Sequence, residues 1–247
     1  MLNEPTIEKL KALKLYALAV AWQEQQKNTE MQNVAFDERL GLLVEAEVLN
    51  RENKRLDRLL RAAKLKIGKA CIEDIDYSPR REIEKPVIRQ LATCRWVEEH
   101  QNVLITGATG TGKTYLACAL AQQACRKGFH AIYRRATRLR DELTLAHADG
   151  TYAQLLTRFA RADVLVIDDW GLMPIIEGDR RHFLEVFEDR YGTRSTIITS
   201  QIAATKWHDY LGDPTMADAI CDRVLHNAHR IALKGPSRRK EESAVTK

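Results

Sequence analysis

Between residues 107 and 114 the chain reads Gly107-Ala108-Thr109-Gly110-Thr111-Gly112-Lys113-Thr114, the spacing G-x-x-x-x-G-K-[ST]. Glycines let a backbone adopt positive φ and approach a ligand closely. Successive N–H groups leading into a helix N-terminus offer positive potential to an anion. A lysine at the end of such a loop reaches the β- and γ-phosphates of a nucleotide, and the hydroxyl after it ligates Mg²⁺. Residues 107–114 therefore predict a triphosphate cradle with Thr114 on the metal. An ordinary glycine-rich turn between a strand and a helix would need neither Lys113 nor Thr114.

The run Val164-Leu165-Val166-Ile167-Asp168-Asp169 supplies a second half. Four apolar residues deliver two carboxylates at the C-terminal end of a strand, where ligands collect in open α/β sheets. Asp168 is expected to hold Mg²⁺ through water, and Asp169 to polarise an attacking water. Paired carboxylates favour hydrolysis over transfer to a small acceptor, and no nucleotide-kinase acceptor pocket or lid can be located.

The elements that position these residues follow from the apolar pattern. Strands are expected at 103–106, 129–133, 164–167 and 196–199, with an edge strand at 230–233. Helices are expected at 86–100, 113–127, 137–147, 152–161, 179–191, 204–210 and 215–226. This alternation predicts an α/β domain with a central parallel sheet flanked by helices.

Ahead of it the chain reads as all-helical. Pro5 suits a first helical turn, opening a helix over about 5–26. Asp37 reads as the N-cap of a longer helix ending near Gly68. Asp74 to Pro79 is rich in turn residues, so a boundary is placed between residues 70 and 85. The expected organisation is a helical domain over 1–75, a nucleotide-binding domain over 76–235 and a flexible basic tail over 236–247.

Composition narrows the class. The 247 residues are 45% hydrophobic and 30% charged, with a net charge of +5, as in a soluble protein. Five cysteines without a C-x-x-C pair predict reduced thiols rather than zinc or a disulfide framework. Lys9 to Trp22 imitates a signal peptide, but its apolar run is short and recurs at helical spacing, so an amphipathic helix in a cytoplasmic protein is expected. No segment approaches the roughly 20 apolar residues of a membrane span.

Both motifs, with Asp168-Asp169-Trp170-Gly171, the Ser195–Gln201 strand and Ala219-Ile220-Cys221-Asp222-Arg223, resemble the AAA+ P-loop ATPases related to the DnaC helicase loader. Leu10-Lys11-Ala12-Leu13-Lys14-Leu15, Phe36-Asp37-Glu38-Arg39-Leu40 and Cys118-Ala119-Leu120-Ala121 resemble the IstB family of insertion-sequence helper ATPases. The similarity extends to about Arg239. It implies an Mg-dependent ATPase that forms an ATP-bridged homo-oligomer on double-stranded DNA and assists a transposase. By the same resemblance Gln201 stands at the sensor position near the γ-phosphate, with Thr199 and Ser200 as fallbacks. Arg223 resembles an arginine finger acting on a neighbour's nucleotide; a helix-surface arginine paired with an acid is the alternative. Asp169 departs from the family's usual Glu, which shifts weight from turnover to binding. Too few residues follow Arg223 for a C-terminal helical lid. Gly235-Pro236-Ser237-Arg238-Arg239 resembles a family ending to which no chemistry is assigned.

Arg134, Arg135, Arg138 and Arg140, with Arg126 and Lys127, cluster where such assemblies face a channel, and the second half of the long N-terminal helix is also basic. These read either as a DNA-phosphate surface, salt-sensitive and sequence-independent, or as a solvated face; the resemblance favours DNA. Tyr133 either stacks on bases or packs in the sheet. The rival functions are a replicative helicase loader and an ATP-gated DNA binder with negligible turnover.

Overall fold

The computed structural model describes residues 4–237. The chain divides between Arg58 and Leu59 into two compact units, and the division falls inside a helix.

In the first unit, α1 (Glu4–Ala12) and α2 (Tyr16–Lys27) stand in place of the single helix expected over 5–26. Lys14 adopts φ +61° between them, an uncommon conformation for a residue with a side chain. Glu47 of α3 (Phe36–Ala63) accounts for the break. Its buried carboxylate accepts the N–H groups of Ala17 and Leu18 at 2.9 and 3.2 Å. Those lie at the start of α2, where no intrahelical carbonyl is within reach and the helix dipole favours negative charge. Asp37 falls in the first turn of α3 rather than at its N-cap. The helix stops at Ala63, where Lys64 turns left-handed at φ +51°, short of Gly68. The segment over 70–85 thus belongs to the second unit rather than dividing the chain.

Beyond that segment the second unit continues with α4 (Lys85–Ala92) and α5 (Arg95–Glu98), which a left-handed Cys94 separates where one helix was expected. The strands and helices then alternate: β1 (Asn102–Gly107), α6 (Lys113–Arg126), β2 (Ala131–Arg135), α7 (Ala136–Asp149), α8 (Tyr152–Arg161), β3 (Val164–Trp170), α9 (Glu177–Glu188), β4 (Ser195–Ser200), α10 (Trp207–Leu211), α11 (Pro214–Leu225) and β5 (Ala228–Leu233). Hydrogen bonds order the sheet β2-β3-β4-β1-β5, with every pair parallel. Parallel strands are joined by helical crossovers that cover both faces, so Val103–Ile105 and Val164–Ile167 are unbroken buried apolar runs.

The β3–β4 ladder slips between Ile167 and Trp170. A bulge of this kind re-aims side chains beside a site, and here it carries Asp168 and Asp169. Trp170 anchors the strand just beyond, with its ring edge-on to Phe183 at 4.9 Å and tilted against Trp207 at 5.6 Å. Such aromatic pairs contribute about 0.5–1.5 kcal/mol each beyond their buried area. Among the described residues no helix is long and apolar enough to cross a membrane.

Candidate nucleotide site

β1 delivers the chain into the loop over 107–112, and α6 receives it at Lys113. Gly107 and Gly110 cannot carry a side chain. Both have positive φ, and a Cβ would collide with the Leu233 carbonyl in the first case and with Ser237 in the second. The loop is braced from within by Thr111, whose hydroxyl donates to the Ala108 carbonyl at 2.9 Å. Arg81 braces it from outside. This arginine is buried, donating from Nη1 to the Thr111 carbonyl at 3.0 Å and from Nε to Asp76 at 2.8 Å. Lys113 folds over the loop, with Nζ donating at 2.8 Å to the carbonyls of both Gly107 and Ala108.

Asp168 is completely buried at the facing end of β3. A buried carboxylate must be hydrogen-bonded or paired, and three hydroxyls converge on this one. Thr114 donates at 2.9 and 3.0 Å to its two oxygens, Tyr133 from β2 at 2.6 Å and Thr199 from β4 at 2.6 Å. Lys66 adds a cation, with Nζ 3.7 Å from Oδ2. Burial, together with the hydrogen bond to Asp168, raises the pKa of the Tyr133 phenol far above its ordinary value, so the phenol stays a donor. Thr199 works in both directions, accepting the N–H of Asp169 at 3.0 Å while donating to Asp168. Asp169 stands at φ +62°, and Arg135 Nε lies 3.7 Å from its carboxylate. Left-handed backbone at a non-glycine residue costs on the order of 1 kcal/mol and is tolerated where surrounding contacts hold it.

Lys113, Thr114, Asp169 and Gln201 line an open cavity of about 710 Å³ together with Thr109, Gly110 and Gly112. That volume lies in the range of small-molecule sites. Lys66, Ile67, Asp74 and Tyr115 form another wall, so Asp74, in the turn-rich segment where a boundary was expected, is part of the site. One hydroxyl and one carboxylate, Thr114 and Asp168, are hard oxygen donors suited to Mg²⁺, which is held by few protein groups and completed by phosphate oxygens and water. The residues present fit a magnesium triphosphate.

Residues 8–246 match the sequence profile of the family described as IstB-like ATP binding protein. The chain belongs to this family. "Putative insertion sequence ATP-binding protein y4pL" of Sinorhizobium fredii (strain NBRC 101917 / NGR234) is 44% identical over 242 residues, 98% of each chain. "Insertion sequence IS1162 putative ATP-binding protein" of Pseudomonas fluorescens is 44% identical over 205 residues, 83% of this chain and 89% of its own. Among solved structures, the fold is similar to AMPPCP-bound DnaA of Aquifex aeolicus, at TM-score 0.58 and 19% identity over 72% of this chain and 55% of that one. It is also similar to the DnaC helicase loader, at TM-score 0.56 and 20% identity over 67% and 97%. The IstB-like chain therefore has the AAA+ P-loop fold.

The remaining candidate residues of this IstB-like chain divide between the cavity wall, the helix surface and the core. Gln201 is exposed on the cavity wall, whereas Thr199 touches the acidic pair; Ser200 instead donates to the Trp170 carbonyl at 2.8 Å. Arg223 lies on α11, where it pairs with Glu188 of α9 and donates to the Ala219 carbonyl at 3.0 Å. Arg134 corrects the expectation of a DNA-facing side chain: it is buried, its Nε held by Glu142 at 2.9 and 3.0 Å and its Nη1 by the Tyr133 carbonyl. Arg138 and Arg140 remain near solvent beside Glu142 and Asp141. Tyr133 packs in the sheet and is spent on Asp168 rather than on a base. Of the Gly235–Arg239 stretch, Ser237 abuts Gly110 and the N–H of Lys234 donates to the Arg81 carbonyl at 3.3 Å, while residues 238 and 239 lie outside the described residues.

Proposed function

We propose that this chain is a magnesium-dependent ATPase that assembles with copies of itself on duplex DNA and assists a transposase in moving an insertion sequence. The observation that carries the ATPase reading is that Thr114 and Asp169 line the cavity above the 107–114 loop while the buried Asp168 is hydrogen-bonded to Thr114 directly behind it. In this reading Lys113 exchanges the carbonyls of Gly107 and Ala108 for β- and γ-phosphate oxygens, while the loop N–H groups hold the phosphates. Thr114 and Asp168 would hold Mg²⁺, which would supply positive charge against the triphosphate. Asp169 orients a water against the γ-phosphorus and takes its proton as the bond to the bridging oxygen breaks, releasing ADP and phosphate. Gln201 offers a polar group to the γ-phosphate from the wall.

Arg223 acts in trans: with its own chain's Glu188 as resting partner, it is free to swing onto a neighbour's nucleotide. The DNA and transposase parts rest on the family, on relatives named for insertion sequences over nearly their whole length, and on Arg135, Arg138, Arg140 and the basic half of α3.

A DNA binder gated by ATP with negligible turnover is a second reading. Asp169 favours it, being one methylene shorter than Glu and held beside Arg135. Steady-state phosphate release with and without duplex DNA separates the two, and pull-down with a co-encoded transposase tests the partner. Arg223→Ala is expected to spare nucleotide binding and cut release by about 10³-fold. Mixing it with wild-type chains should depress the neighbour's turnover. Unchanged turnover removes the finger assignment.

A further inference from the structure

A second cavity, of about 340 Å³, is lined by Lys64, Lys66, Arg134, Arg135, Arg138 and Glu142. Five cations face a single carboxylate there, and that carboxylate is already committed to Arg134, with Arg138 3.5 Å away. The charge left over belongs mainly to Lys64, Lys66 and Arg135. Two of these three, Lys66 and Arg135, also line the nucleotide cavity. They are a shared wall, and each leans on one member of the acidic pair: Lys66 on Asp168 and Arg135 on Asp169, both at 3.7 Å. At that separation an ion pair lies beyond hydrogen-bond length, so each cation keeps donors for a better-placed anion. Arginine in particular can grip a phosphate with two parallel bonds.

We propose that this basic cavity binds a phosphate of the DNA backbone and that the bound phosphate draws Lys66 and Arg135 off Asp168 and Asp169. Without DNA, Lys66 competes with the divalent cation for Asp168, and Arg135 holds Asp169 away from water. With DNA engaged, both carboxylates are released to the metal and the nucleophile. Lys66 and Arg135 are positioning residues in this scheme, acting through the acids. The proposal rests on the DNA-binding ATPase reading above and adds the site and the direction of coupling.

The test uses the full chain with fluorescein-labelled duplex DNA, reading anisotropy across a salt series and phosphate release with and without the duplex. A Lys64→Ala/Arg138→Ala variant, altered only in the basic cavity, should bind duplex about tenfold or more weakly and lower the salt slope by roughly one to two. Arg135→Gln should raise DNA-free phosphate release several-fold and lose further stimulation by duplex. Lys66→Gln should lower the Mg²⁺ concentration needed for half-maximal release without DNA. Retention of a fluorescent ATP analogue shows that each variant is folded.

An unchanged salt slope in the double variant, or wild-type rates and stimulation in Arg135→Gln, overturns the proposal. Equal stimulation by inorganic phosphate alone overturns the backbone assignment in favour of a free anion. Failure of the wild-type chain to bind duplex at all sinks the DNA reading itself, and is visible before any variant is compared.

Discussion

Asp168→Asn is expected to abolish most phosphate release while leaving the protein folded, and Asp168→Ala to lose both activity and stability. The difference follows from what surrounds the carboxylate. Thr114, Tyr133 and Thr199 all donate to it in a fully buried position. Asparagine keeps a carbonyl oxygen for part of this set but lacks the charge that retains a divalent cation. A loss of about 4 kcal/mol in the transition state lowers the rate about 10³-fold. Alanine strips all three hydroxyls of their acceptor, and each donor left buried and unsatisfied costs about 1–3 kcal/mol. Thermal melts alongside phosphate release separate the two effects. Wild-type turnover in Asp168→Asn would show that the metal is not held there.

Arg190→Met should be the most destabilising single change away from the site. Arg190 is 2% exposed and works entirely inside the fold. Its guanidinium donates to the carbonyls of Phe159, Ala162 and Ser195, and its Nε to the Thr196 hydroxyl at 3.1 Å. It therefore ties the end of α8 and the chain entering β3 to the start of β4, the strand that carries Thr199. Methionine fills similar volume and satisfies none of those acceptors. Each buried acceptor left without a donor costs about 1–3 kcal/mol, and several together, for a domain of this size, lower Tm by roughly 10 °C or more. Calorimetry checks this, and a shift of only a degree or two would contradict it. Lysine should rescue poorly, because a point charge cannot span acceptors arranged for a planar fork.

The residues that can be read from sequence are those whose roles are local. The 107–114 loop lies between its own strand and helix, and Asp168-Asp169 end a continuous apolar run, so both were legible together with all five strands. What escaped depends on partners distant in the chain. Glu47 caps the start of α2 from about 30 residues away, and left-handed Lys14, Lys64 and Cys94 carry no glycine to announce them. Tyr133 and Thr199 reach Asp168 only because β2, β3 and β4 lie side by side in the sheet, with the β3–β4 ladder shifted at that point. An aromatic hydroxyl near the end of a strand beside an acidic strand end is the signal that could have pointed to Tyr133. Arg81, inside an apparent hinge, braces the loop through a contact 30 residues away in sequence. Arg134 misled for the opposite reason: its neighbours made it look like part of a surface charge run, while strand geometry turned it inward onto Glu142.

Titration of the purified chain with a fluorescent ATP analogue, with and without Mg²⁺ and in parallel with Lys113→Ala, reports whether the 107–114 loop holds a triphosphate. The wild-type chain should show saturable uptake that tightens with Mg²⁺. Truncating a lysine that faces phosphate charge costs about 2–5 kcal/mol, so Lys113→Ala should weaken binding by roughly two orders of magnitude. No saturable uptake by the folded wild-type chain, or equal affinity in the variant, would contradict the assignment of residues 107–114 as the triphosphate site.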